Sequence, residues 1–260
     1  MNTRSPLCRC IATLIVAVAT SMISTSARAE DGKIRLSLFG GDRIVGSGKL
    51  ASESRAVTGF QAVALRGKMK LVLRQGAREG IELRADDNLL PLVEAIVVDR
   101  GGVPTLELVF KKAADFSTRN PVVATIDLIT LKALSISGSG DIVGDALRTP
   151  RLAVAITGSG NVRLKQLVAD EVSAMVSGSG DIEFTGRTAK LGMSISGSGD
   201  VNTLGLAADD VSVSIAGSGD ADVMARKTLT VSIAGVGNVN YTGDAVVKSQ
   251  IAGSGRVTRR

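Results

Sequence analysis

The chain has no histidine and no tryptophan, and aromatic residues make up only 2% of its 260 positions. Lack of histidine excludes Ser-His-Asp and Cys-His catalysis and every imidazole-ligated metal. With one tyrosine and five phenylalanines, the chain also has few flat platforms on which nucleobases or sugar rings could stack. Its two cysteines are Cys8 and Cys10. Both precede the apolar run from Ile11 to Ile23, so neither follows such a run as a lipoprotein cysteine does. Beyond residue 10 there is no thiol, which excludes disulfides, cysteine-ligated metals and cysteine nucleophiles.

Residues 1–29 read as a secretory signal peptide and not as part of the fold. Arg4 and Arg9 supply the positive start, Ile11 to Ile23 the apolar stretch, and Ala27-Arg28-Ala29 a small-x-small cleavage site after Ala29. An uncleaved anchor is the competing reading, but the apolar stretch is short for a transmembrane span, so the mature chain is expected to have none. The leader carries Arg4, Arg9 and Arg28 and no acid. Its removal takes Lys+Arg from 31 to 28 against 25 acidic residues, and the net charge from +6 to +3. Much of the basicity is thus targeting signal. The scattered cations that remain describe a solvated surface, and no nucleic-acid partner is expected.

What the chain has in abundance is glycine, 30 residues, much of it in one recurring phrase. Gly138-Ser139-Gly140, Gly158-Ser159-Gly160, Gly178-Ser179-Gly180 and Gly197-Ser198-Gly199 are followed by Gly217-Ser218-Gly219, Gly235-Val236-Gly237 and Gly253-Ser254-Gly255. The period of about 18–20 residues is the mark of a solenoid, whose coils bury a core only by stacking. Two residues before each first glycine stands Ile136, Ile156, Val176, Ile195, Ile215, Ile233 or Ile251. Four before it the positions are apolar from Leu134 to Val231, with Ser249 the exception. Four after it they run from Ile142 to Val257. Alternation by two on both sides of the phrase predicts short β-strands meeting at a glycine corner, in an all-β parallel β-helix. The fourteen glycines serve as structural corners, because a tight turn needs positive φ and stacked corners leave little room for a Cβ. Seven copies with no following Lys-Ser/Thr or helix make a phosphate loop a poor alternative.

The residue after each corner is Asp141, Asn161, Asp181, Asp200, Asp220, Asn238 or Arg256, expected to form one outward, solvated ladder. The alternative for Asp141, Asp181, Asp200 and Asp220 is calcium held between coils, as in Gly-Gly-x-Gly-x-Asp repeats. Those repeats are about half as long, and the solvated reading is preferred. No cofactor is expected.

Residues 30–120 lack the tight period and are expected to form an irregular β region leading into the regular solenoid of residues 121–260. Leu71-Val72-Leu73, Ile81-Glu82-Leu83 and Leu106-Glu107-Leu108-Val109 read as strands. A short helix between Leu89 and Ala95 is compatible with Pro91 only in its first turn. At the other end the chain stops within a coil, at Arg256-Val257-Thr258-Arg259-Arg260. Those arginines either guard the edge or dock it on a second subunit, a homo-oligomer through the solenoid end.

Enzymatic chemistry is reduced to Asp, Lys and Arg. Carboxylate pairs such as Asp209-Asp210 or Asp220 with Asp222 leave a polysaccharide-processing lyase or hydrolase as the alternative function. Its cleft would lack aromatic platforms, and the spacers between strands are short. The iterated Ile-Ser-Gly-Ser-Gly-Asp-Val phrase resembles the GIN-domain family, described as head domains of auto-transporter adhesins. Gly46-Ser47-Gly48, Val57-Thr58-Gly59-Phe60, Leu71-Val72-Leu73-Arg74-Gln75-Gly76 and Ala85-Asp86-Asp87-Asn88-Leu89-Leu90-Pro91 are similar to that family's opening. The likeness covers most of residues 44 to 257. It implies an exported, right-handed β-solenoid, periplasmic, outer-membrane-associated or secreted, with a binding or scaffold role toward an envelope protein or glycan. It carries no catalytic residues onto this chain.

Overall fold

A computed structural model describes residues 44–111 and 116–260. The signal-peptide assignment to residues 1–29 lies outside the described residues. From Ala133 onward the chain winds as a β-solenoid of about six turns. Each strand leading into a corner pairs in parallel with its counterpart one coil away, which keeps Ile136, Ile156, Val176, Ile195, Ile215, Ile233 and Ile251 in one row. The first six are buried, as are their neighbours four before and four after the corner glycine. Leu152, Val172, Leu191, Val211 and Leu229, six before it, form a further buried row. β-Branched and leucine side chains suit these rows because a pleated strand sends every second residue into the narrow interior.

Each coil has three sides. The in–out alternation breaks at the Gly-Ser-Gly corner and at two more places, where consecutive residues both leave the core; in Asn161–Gly178 these are Lys165-Gln166 and Asp170-Glu171. Gln166 takes φ +49 there. The shortening of coils from 20 to 18 residues is absorbed near these minor corners. Register shifts fall between Leu164 and Leu167 and between Thr203 and Ala207, while the strands entering the glycine corners stay in step. A slip in those strands would turn their apolar rows outward.

Stacking extends beyond the repeat. Ala62–Arg66 pairs in parallel with Ala133–Gly138, and Lys70–Gln75 with Asp141–Asp145. Below them lie Val103–Phe110 and Val123–Leu128, again parallel. The end is then closed by antiparallel pairs, Leu50–Arg55 on Gly80–Asp86 and Val93–Arg100 on Val103–Phe110. Instead of a helix at 89–95 the chain makes one 3-10 turn at Leu90–Leu92, with Pro91 in its first turn, and Val93 starts a strand. The strand's pairing with Val103–Phe110 outweighs weak local helical preference.

Buried Asp86 clasps this cap. Its carboxylate accepts hydrogen bonds from Thr118 Oγ1 and Asn120 Nδ2, both at 2.6 Å. These donors, Asn120 first, with the backbone N–H of Gly48, hold its pKa below the ordinary carboxylate value. A lowered folded-state pKa contributes stability that is present above the unfolded value, near 3.8, and lost as pH falls through the folded one. The urea midpoint of the native chain should therefore fall more steeply than that of Asp86→Asn as pH drops from about 5 to about 3. Parallel profiles would remove Asp86 from the acid response.

Candidate functional site

The ladder behind the corners is in register and outward, from Asp141 through Asn161, Asp181, Asp200 and Asp220 to Asn238. Its side chains are also structural. Asn161 Oδ1 accepts the backbone N–H of Asp181 at 3.2 Å, Asp181 Oδ1 that of Asp200 at 3.1 Å, and Asp200 Oδ1 that of Asp220 at 2.9 Å. Asp220 Oδ1 accepts the N–H of Asn238 at 2.7 Å, and Asn161 Nδ2 donates to Asp141 Oδ1 at 2.8 Å. From Asn161 to Asp220 each ladder residue thus supplies an acceptor for the next coil's turning backbone, while the N–H of Asn161 itself is taken by the Gly140 carbonyl. The signal lay in the sequence: the position holds Asp or Asn in six successive coils, never Glu, Gln or Ser. Only a side chain of that length places an oxygen one coil away without bending the strand. Among the described residues, no three Asp or Glu side chains converge as a metal-holding group.

Beside the ladder the surface dips into a shallow groove of about 470 Å³. One wall is the ladder from Asp141 to Asp200; the other carries Arg163, Glu183 and Asn202; Lys70 stands at one end. Glu183 accepts a hydrogen bond from Arg163 Nε in the neighbouring coil, and that contact raises the Arg163 pKa. The groove therefore offers donors and acceptors of both charge signs at intervals of about 4.8 Å, the coil spacing. Such a lining recognises a polar ligand by hydrogen bonds and ion pairs.

The other carboxylates that the sequence singles out are engaged elsewhere. Asp209 pairs with Lys227 Nζ at 2.8 Å and Arg226 at 3.7 Å, and Lys227 is the main cause of its lowered pKa. A general acid needs a shift in the opposite direction. Asp210 accepts the Thr228 hydroxyl at 2.7 Å, and Asp222 binds Asn240 Nδ2 at 2.8 Å and Arg260 at 3.2 Å. Asp209-Asp210 and Asp220 with Asp222 are thus tied into cross-coil contacts.

The corner glycines divide into two kinds. Gly158 adopts φ +121, and a Cβ on it would stand 2.4 Å from the Gly138 carbonyl oxygen. Gly160 has no such φ, yet its Cβ would stand 2.3 Å from Gly140 O and 2.7 Å from Ile136 Cγ2. The first glycine is needed for conformation and space, the second for space alone.

Residues 59–245 match the family model described as "Putative auto-transporter adhesin, head GIN domain". Among solved structures, an adhesin-like protein from Bacteroides fragilis, described as "putative adhesin", superposes with a TM-score of 0.76 at 24% identity, over 84% of this chain and 100% of that one. Another "putative adhesin", from Parabacteroides distasonis, gives a TM-score of 0.65 at 26% identity, covering 84% and 100%. A protein of the same organism described as "Putative lipid binding protein" gives 0.68 at 22%, covering 84% and 99%. No curated protein matches the chain. Among the described residues, no helix is long and apolar enough to cross a membrane.

Proposed function

This chain belongs to the family of the auto-transporter adhesin head GIN domain, and from that membership we propose an exported, non-enzymatic binding or adhesion module of the bacterial cell envelope. The observation that carries the reading is the polar groove along the Asp/Asn ladder, held rigid by hydrogen bonds between coils. A site on stacked strands is preorganised, so little ordering entropy is lost when a partner binds. The partner is an envelope protein or glycan presenting hydrogen-bonding and charged groups. The features of residues 1–29 support export.

The test is capture of envelope components by the purified protein, with native and groove-altered chains compared. Glu183→Lys combined with Asn202→Lys changes the outer wall without touching the backbone-capping ladder oxygens. It should leave the melting temperature within a few degrees but reduce retention of the captured component about tenfold. Unchanged retention would move the contact surface away from the groove. Fractionation of the native cell with the protein found only in the cytoplasm would sink the envelope assignment.

A further inference from the structure

We propose that two copies of this chain pair through the flat face leading into the glycine corners, around a twofold axis that runs along the strands. The outward residues of segments 133–137, 153–157, 173–177, 192–196, 212–216 and 230–234 are Ala, Ser, Thr or Gly, with Met175 the one exception. All are half-buried or exposed. None is charged, although 22% of the chain is and a soluble surface carries about 25–35% charged residues. Arg66 and Lys248 bound the face, one coil beyond it at either end. Two such faces can approach closely with no charge to desolvate.

Charge on the rim identifies a second copy as the occupant. Immediately beside the face, Arg151, Glu171, Lys190 and Asp210 stand in register on successive coils; their signs alternate, and Arg151 Nε pairs with Glu171 at 3.3 Å within one copy. A twofold axis along the strands reverses the order of the coils. Arg151 of one copy then meets Asp210 of the other, and Glu171 meets Lys190, so every rim pair is opposite in sign. For that the axis must pass between the coils of Glu171 and Lys190, which is also the middle of the six uncharged coils. A twofold along the solenoid axis would instead bring this row against the corner serines and give it no partner charge on the other copy. Rim charges of this kind set orientation more than affinity.

Gly192 is the independent observation. Its φ is ordinary and a Cβ on it would meet nothing within 4 Å, so the fold of one copy does not require glycine there. Glycine inside a strand weakens it and often marks the close approach of another backbone or ligand. The same axis sets Met175 of the second copy over Ser194, two residues from Gly192 on the same strand. The one long side chain of the face therefore lies over a serine that has Gly192 along its strand and its own copy's Met175 one coil away.

Six coils about 4.8 Å apart span five steps, roughly 24 Å, and a five-residue segment is about 17 Å long. Two facing copies then bury roughly 800 Å², the range of weak, transient contacts. A reversible dimer follows.

Sedimentation velocity on the full chain as recovered from the expressing cell, from about 1 μM to about 1 mM, should show monomer passing to dimer. Ser194→Arg, an outward substitution, should raise the dissociation constant at least about tenfold and leave the melting of the dilute protein unchanged. Arg151→Glu should weaken the dimer as well, and adding Asp210→Arg should restore it by exchanging the charges. Monomer throughout the range would overturn the proposal. So would a dimer that Ser194→Arg and Arg151→Glu leave intact, or one that Ile251→Arg on the last coil abolishes in their place.

Discussion

Replacing Gly160 by alanine is expected to lower the stability of the protein by about 3 kcal/mol or more, although the substitution adds a single methyl group. The added Cβ would stand 2.3 Å from the carbonyl oxygen of Gly140. That oxygen accepts the N–H of Asn161 at 3.1 Å, so it cannot turn away without breaking the ladder between two coils. The other near atom, Ile136 Cγ2 at 2.7 Å, belongs to a fully buried side chain. Relief would have to come from separating the coils, which weakens every hydrogen bond along that corner. Two comparisons isolate the cause. Gly80→Ala, at an ordinary φ with nothing within 4 Å of the new Cβ, should be neutral or stabilising by about 0.5–1 kcal/mol. Gly255→Ala meets Gly237 O at 2.4 Å but has no coil beyond it among the described residues. In a stack stabilised by nearest-neighbour interfaces it should cost less than Gly160→Ala. Urea titration followed by circular dichroism gives all three values. Equal midpoints for Gly160→Ala and Gly80→Ala would refute the steric account.

Truncation of Phe184 should cost about 3–5 kcal/mol. Phe184 is fully buried in the middle of the stack and is one of only five phenylalanines. It lies next to a register shift, between Glu183 and Thr185, where the following coil contributes the small buried Thr203 in place of a large aliphatic residue. Thr203 is itself pinned, its hydroxyl donating to the Asp222 carbonyl at 3.1 Å. The coils cannot close on the void left by alanine, because strand hydrogen bonds hold them at about 4.8 Å. The cost of a cavity grows with what fails to collapse, so Phe184→Ala belongs near the upper end of the range. Phe184→Leu should recover more than half of the loss. A drop below about 1 kcal/mol for the alanine variant would mean that the coil interior repacks.

Both predictions depend on contacts one coil away, and that distance separates what was legible from what was not. The row from Ile136 to Ile251 and its partners two residues further out are visible in the sequence, since alternation by two and a repeat of 18–20 residues are both local patterns. The coils at Ala62–Arg66 and Lys70–Gln75 are harder to see. They lack the Gly-Ser-Gly corner, and Gly67 turns the chain there with φ +96. Their place in the stack comes from pairing with strands some seventy residues later. The short helix expected between Leu89 and Ala95 gives way to a strand for the same reason. The groove was half legible: its ladder wall follows from the repeat, whereas Lys70, Arg163 and Glu183 reach it only through register.

Sequence by itself determined that the chain is all-β, that it coils with a period of 18–20 residues, which rows face inward, and that chemistry based on histidine or a thiol has no place in the folded repeats. Each of these follows from composition or from spacing within one coil. Tertiary structure decided why the Gly-Ser-Gly phrase holds two glycines, one for its positive φ and one because the neighbouring carbonyl leaves no room. It also decided that the Asp/Asn ladder caps the backbone of the next coil, and that small residues from six coils assemble one uncharged face. Those outcomes rest on atoms about 4.8 Å apart in space but 18–20 residues apart in the chain. Only the register between coils brings them together.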